Sequence, residues 1–261
     1  MPELPEVEEA TQRLRAAIEG KTIATVSTRH PALKRQLPAA SARRLRQQRV
    51  ERVERRGKHQ LIHLKNGSIL HAHFRMNGDW LIAATGDAVH RFTRAVIAMT
   101  DGTRVELNDS RALSALTFHA PGTNPLPKLG IEANDKSFDA AHLRASLKSR
   151  RIAIKPALMD QGVVAGIGNI YAAEALWRAQ INPRAVASSV SKARLEKLVP
   201  AIKAVIGDEN RPPGRYTDSD GRGRFEVYDR EGKACSRCNG KIARISQAGR
   251  STYYCPKCQR S

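Results

Sequence analysis

No apolar run in this 261-residue chain approaches the length needed to cross a bilayer. Its opening residues, Met-Pro-Glu-Leu-Pro-Glu-Val-Glu-Glu, lack the apolar core of a signal peptide. A soluble, cytoplasmic protein without a membrane partner is therefore expected. Cysteine is nearly absent, with four residues confined to Cys235–Cys258. That is a poor distribution for stapling a secreted domain and a good one for a single local metal site. Acidic residues are also scarce, 25 against 45 Lys and Arg, for a formal net charge of +20. Such a surface calls for a polyanion. Because the cations are spread along the whole chain, nucleic acid is favoured over a membrane-surface helix or a basic tail. Internal repeats are lacking. Hydrophobic residues make up 41% of the chain, enough for one large core or two modest ones, and two domains are expected.

The apolar pattern assigns the elements. Val7, Ala10, Leu14 and Ile18 recur at helical spacing before Gly20, predicting an opening helix over residues 4 to 18. Short β-rich runs follow at Val50–Glu54, Leu61–Leu64, Ile69–Phe74, Ala95–Met99 and Thr103–Leu107. Asn66-Gly67 and Asp101-Gly102 read as hairpin turns, and together these predict an antiparallel sandwich or barrel. Residues 119–135, rich in Pro and Gly, read as a linker. Helices are expected at Phe138–Lys148, Lys155–Gln161, Ile170–Arg178 and Lys192–Ile206, the last kinked or restarted at Pro200. Residues 207–223 read as a second flexible stretch. The predicted class is α+β, with domains at 1–118, 136–223 and 224–261.

Cys235-Ser-Arg-Cys238 and Cys255-Pro-Lys-Cys258, sixteen residues apart, have the paired Cys-x2-Cys spacing of a four-thiolate zinc site. Four protein ligands leave no open position, so one structural zinc is expected. The segment between the pairs can form a hairpin from Ile242–Ile245 and Thr252–Tyr254. Arg250 at its tip reads either as a solvated charge or as a fork for phosphate.

Pro2 is a candidate reagent. Removal of Met1 leaves it a secondary amine able to attack a carbonyl-like carbon, with Glu3 and Glu6 beside it as acids. The bland reading is that Pro and Glu suit the first turn of any helix.

Four separated motifs in fixed order bear on that choice: Pro2-Glu-Leu-Pro-Glu-Val-Glu, Arg56-Gly-Lys58, Ile154-Lys155-Pro-Ala-Leu-Met-Asp160 with Gly166-Ile-Gly-Asn169, and the cysteine hairpin. In these the chain resembles the formamidopyrimidine-DNA glycosylase and endonuclease VIII family of base-excision repair enzymes. The resemblance runs from Pro2 to Cys258. It implies an N-terminal catalytic β-sandwich, a helix-two-turn-helix domain and a zinc hairpin, acting as a monomer on damaged double-stranded DNA without a soluble cofactor. It implies that Pro2 forms the covalent iminium resolved by β- and δ-elimination, that Glu3 acts on the sugar beside a second glutamate, Glu6, and that Lys58 serves as general acid and phosphate contact. Asn169, Lys155, Arg150 and Arg250 become phosphate contacts, Arg150 being equally readable as a solvated charge. Met76 and Arg111 become fillers of the gap left by an extruded base, with Met76 also readable as core. Leu113 stands where the bacterial formamidopyrimidine branch has an aromatic wedge. The start of the chain looks like that branch, whereas Arg224-Phe-Glu-Val-Tyr-Asp-Arg-Glu-Gly looks closer to endonuclease VIII, which leaves the preferred lesion open. The alternatives are a non-catalytic DNA binder on the same scaffold and a zinc-ribbon transcription or ribosomal factor, the latter leaving the first 76 residues without an account.

Overall fold

The computed structural model describes residues 1–207 and 225–260. The chain divides into two compact units, Met1–Pro127 and Lys128–Ser261. In the first, α1 (Leu4–Ile18) buries Val7, Ala10, Leu14 and Ile18, the face its spacing requires. Two four-stranded antiparallel sheets follow. One contains β1 (Ile23–Thr28), β5 (Asp79–Ala84), β6 (Thr93–Met99) and β7 (Thr103–Asn108), in the order β1-β6-β7-β5. The other contains β2 (Val50–Arg56), β3 (His59–Leu64), β4 (Ile69–His73) and β8 (Ala115–His119), in the order β2-β3-β4-β8. Two short helices, α2 (Pro31–Gln36) and α3 (Ala39–Arg44), lie between β1 and β2.

Trp80, Ile97, Val105 and Leu107 from the first sheet share one buried cluster with Val53, Ile62, Leu70 and Leu116 from the second and with Leu14 and Ile18 of α1. This is a sandwich. Each such side chain contributes about 1.5–3 kcal/mol on burial. The one polar demand in that cluster is met when Trp80 Nε1 donates to Gln60 Oε1 at 2.7 Å. The strands that the sequence pattern did not reveal, β1, β5 and β8, all lie at sheet edges. An edge strand buries few residues: β1 buries Ile23 and β5 buries Trp80, too few for alternation to register.

The second unit begins inside the predicted linker. Ile131–Glu132 (β9) pairs in parallel with Val164–Ala165 (β10), and Ala133 is fully buried. The linker expected at 119–135 is thus corrected in its second half. Gly130 is needed there, because a Cβ would sit 2.6 Å from the Val163 carbonyl oxygen. Helices α4 (Ala140–Leu147), α5 (Ile154–Met159), α6 (Asn169–Arg178) and α7 (Lys192–Ile206) follow. Asp139 and Ser191 cap α4 and α7 by accepting the His142 and Arg194 N–H groups. The last helix runs as one element through Pro200 instead of restarting. Strands β11 (Ala243–Gln247) and β12 (Arg250–Tyr254) form the hairpin. It is no separate body, since Ala173 and Trp177 of α6 share a buried cluster with Val227, Cys235, Ile242, Tyr253 and Cys255. The stretch read as flexible at 207–223 and the Arg224 end of the segment compared above lie, Gly207 excepted, outside the described residues.

Candidate active site and nucleic-acid interface

In the first unit, Pro2 is buried and Glu3 is 1% exposed at the N-cap of α1. Glu6 Oε2 accepts the Glu3 N–H at 2.9 Å, half of a capping box, so the acid pair is fixed by the helix it starts. Lys58, 5% exposed, sits in the two-residue loop joining β2 to β3, where Gly57 takes φ +59. Arg55 is the brace that sequence reading missed. Its guanidinium pairs with Glu8 of α1 at 2.5 Å and donates to the Gly57 carbonyl at 3.0 Å, tying the Lys58 loop to the helix that carries Glu3. Its only signal in the sequence was a basic residue one turn of hairpin before Lys58.

Met76 and Arg111 lie on neighbouring loops. Met76 is half-buried and outside the core cluster, which removes its reading as core. Asn77 Nδ2 donates to Ser110 Oγ at 3.1 Å, and Ser114 Oγ donates to the Phe74 carbonyl at 3.1 Å, stitching the two loops together. The buried Asp109 organises the second loop by accepting the N–H groups of Arg111, Leu113 and Ser114 at 2.7–2.9 Å. Leu113 is thereby held 45% exposed on the same loop as Arg111.

A histidine cluster beside Lys58 had no reading from the sequence. His59 Nδ1 and His71 Nε2 share a hydrogen bond of 2.8 Å, and Thr117 Oγ1 bonds His119 Nε2 at 2.9 Å. Burial, then the charges of Arg75 and Lys58, lower His59 to about 4. Burial and the neighbouring His59, His119 and Arg75 lower His71 to about 4, and burial with the same kinds of neighbour lowers His73 to about 3. All three are neutral in the fold at pH 7. Unfolded histidine titrates near 6.5. The unfolded chain therefore takes up protons that the folded chain refuses, and stability is complete above pH 6.5 and lost as pH falls toward 4. The melting temperature is expected to fall by on the order of 10 °C from pH 7 to pH 5, with a shallower fall in His71→Gln. A pH-independent melt would contradict this.

In the second unit, α5 and the N-terminus of α6 meet the hairpin. Lys155 was expected to touch phosphate, but it is 1% exposed. Its ammonium donates to Asn169 Oδ1 and to Thr252 Oγ1 at 2.9 Å, and lies 3.4 Å from the Ser251 carbonyl. A buried cation with these partners ties α5 to the start of α6 and to the hairpin. Asn169 Nδ2 in turn donates to the Ser251 carbonyl at 3.0 Å, one residue from Arg250. Lys155→Met is expected to destabilise the fold by about 1–3 kcal/mol, the lost hydrogen bonds being partly offset by relief of a buried charge. A urea titration reads this, and an unchanged midpoint would show the linkage to be idle. Arg150, with its side chain about one-third exposed, pairs with Asp160 at 2.5 Å. Gly166, at φ +98, permits the turn before α6, and Gln161 holds that turn by accepting the Gly166 N–H and donating to the Ile167 carbonyl. Arg250 opens β12 directly after the Ala248-Gly249 turn, both of whose residues have positive φ.

The metal site fits its ion. The Sγ atoms of Cys235, Cys238, Cys255 and Cys258 lie within 4.8 Å of one another, with Cys235–Cys258 at 3.9 Å and Cys238–Cys255 at 3.5 Å. Tetrahedral zinc with bonds of about 2.3 Å needs sulfurs roughly 3.8 Å apart. Glu174 on α6, 3% exposed, anchors the approach to the site by accepting the N–H groups of Glu226, Val227 and Tyr228 at 2.9–3.0 Å. Burial pushes its pKa up while those three donors pull against the rise.

Three family models match in sequence along the chain: the formamidopyrimidine-DNA glycosylase N-terminal domain over residues 1–116, the formamidopyrimidine-DNA glycosylase H2TH domain over 129–209, and the zinc finger found in FPG and IleRS over 232–260. The formamidopyrimidine-DNA glycosylase of Ruegeria pomeroyi is 39% identical and that of Cereibacter sphaeroides 40%, with both chains covered in full. Among solved structures, the Lactococcus lactis enzyme bound non-covalently to DNA with an AP site superposes with a TM-score of 0.90 at 26% identity, covering 99% of this chain and all of that one. MutM in complex with DNA containing carbocyclic 8-oxo-G gives 0.89 at 27%, with both chains fully covered. The chain belongs to the formamidopyrimidine-DNA glycosylase family, zinc-finger DNA glycosylases of base excision repair.

Proposed function

We propose that this enzyme excises oxidised bases from damaged double-stranded DNA and then cleaves the strand, acting as a monomer in the cytoplasm through a Schiff base on Pro2. The observation that carries this reading is the burial of Pro2 and Glu3 on a helix clamped by Arg55 to the Lys58 loop. While Met1 is attached, the Pro2 nitrogen is an amide. Its removal creates a secondary amine that attacks the deoxyribose carbon bearing the base. The base departs, Glu3 protonates the ring oxygen, and the sugar opens to an iminium. A cation at a helix N-terminus opposes the helix dipole, and the carboxylates of Glu3 and Glu6 offset that cost. The iminium draws electrons from the neighbouring carbon, and β- then δ-elimination release the two phosphates, with Lys58 as cationic clamp and acid.

The second unit supplies the grip. Arg250 forks onto one phosphate, and Asn169 at the start of α6 contacts another. Lys155 holds the two in fixed relation, and Arg150 braces the Asp160 turn. In the first unit, Met76, Arg111 and the exposed Leu113 fill the space left by the extruded base, an aliphatic wedge replacing an aromatic one. Identity of 39–40% over the full length to formamidopyrimidine-DNA glycosylases favours oxidised purines as substrate. A duplex panel with 8-oxoguanine, formamidopyrimidine, an oxidised pyrimidine and a hydantoin tests the choice, and incision of the pyrimidine alone would overturn it.

Glu3→Gln separates the steps. Gln keeps the cap but not the acid, so base excision is expected to fall on the order of 10²-fold while cleavage at a preformed abasic site changes less than about tenfold. Equal loss on both substrates would remove Glu3 from the excision step.

A further inference from the structure

One edge of the first sheet is open. Strand β1 pairs with β6 on one side; on the other, Ile23 is closed by Gln47 and Gln48, and beyond it no strand pairs with β1 among the described residues, α2 and α3 packing beside it instead. The Arg29 N–H donates to the Arg94 carbonyl at 2.7 Å, and the register is one-for-one from Val26↔Ile97 to Thr28↔Ala95. That phase turns the backbone of Ser27 and Arg29 toward β6, and the N–H and C=O groups of Val26 and Thr28 outward.

A groove of about 640 Å³ runs along this edge, with Thr25–Thr28 on one side and Pro38, Ala39 and Ala42 on the other. Lys34, Arg43 and Arg46 line it, all three are exposed, and no acidic residue does. None of the three makes an ion pair among the described residues. Sheet edges are blunted by a charge or a proline on the strand or by a covering helix or loop, and here α3 flanks the strand across an open groove instead of closing on it. Strand β1 reads Ile-Ala-Thr-Val-Ser-Thr and carries neither charge nor proline.

We propose that this groove docks an extended acidic segment of a partner protein, added to β1 as a further strand with its carboxylates among Lys34, Arg43 and Arg46. Alternating outward donors and acceptors match a polypeptide backbone, whereas the outward carbonyls of Val26 and Thr28 would repel a phosphate chain. A second copy of this chain is a poor occupant, because it carries the same net charge of +20. The proposal is independent of the chemistry at Pro2.

The probe is a fluorescein-labelled seven-residue peptide alternating Asp and Val, followed by anisotropy and by amide hydrogen exchange of the full-length protein. Binding is expected, with slowed exchange at Val26 and Thr28. Lys34→Glu/Arg43→Glu/Arg46→Glu is expected to weaken it at least tenfold with incision activity on damaged duplex retained. Val26→Pro, which removes an outward N–H and leaves the β6 ladder intact, is expected to weaken it similarly. No peptide binding, binding indifferent to the charge reversal, or protection of these amides by undamaged duplex DNA but not by peptide would each overturn the proposal, the last making the groove a second DNA surface.

Discussion

Pro2→Gly is expected to lower borohydride-trapped adduct with abasic duplex by at least about 10²-fold, while DNA affinity stays within a few-fold of wild type. The argument rests on what proline supplies and glycine does not. A secondary amine condenses to an iminium that is positively charged at every pH, so the electron sink for elimination is always present. A primary amine gives an imine that must first be protonated. The pyrrolidine ring is also buried beside the capped acids, which holds its nitrogen in one orientation; glycine at a chain end is loose and loses the advantage of position. Unchanged trapping with the adduct mapped away from residue 2 would mean that another amine does the chemistry. Binding is expected to be spared because the proposed phosphate contacts, Asn169 and Arg250, lie on other elements.

Cys255→Ser, or removal of zinc by a strong chelator, is expected to abolish DNA binding, by at least about 10²-fold, and to reduce bound zinc from one equivalent toward none. Zinc binding by small four-ligand modules is worth about 10–16 kcal/mol, comparable to the whole stability of an ordinary domain. The apolar cluster under the hairpin is small and includes two of the ligands, Cys235 and Cys255, so little remains to hold residues 225–260 once the metal leaves. The damage spreads along a defined route. Ser251 and Thr252 on β12 are the partners of Asn169 and Lys155, and without them the start of α6 loses its registration with Arg250. The metal thus acts through position and not at the reacting atoms. Full DNA affinity in a zinc-free protein would contradict this.

Spacing alone revealed the zinc module, because two Cys-x2-Cys pairs admit few other uses; periodicity revealed α1, and β-rich runs between Asn-Gly and Asp-Gly turns revealed the central strands, of which only β6 alternates along its length. Three of the four sandwich edges were illegible because β1, β5 and β8 each bury one residue, whereas the edge strand β2, which buries Val50 and Val53, was read. Pro2, Glu3, Glu6 and Lys58 meant little singly and became a site only through four motifs in order. Three features had no local signal. Arg55, Asp109 and Glu174 work through partners distant in sequence or through backbone N–H groups, and one more charged residue in a chain rich in them looks like surface. Lys155 is the converse case: its motif marked it as important, but sequence could not show that its ammonium is buried among Asn169, Ser251 and Thr252.

The central claim is that the N-terminal proline is the nucleophile. Mature protein, lacking Met1, is incubated with abasic duplex and borohydride, digested, and the cross-linked peptide is sequenced by mass spectrometry. The account predicts a single adduct on the nitrogen of Pro2, absent from protein that retains Met1. An adduct on the Lys58 side chain, or none on any damaged duplex, would contradict it.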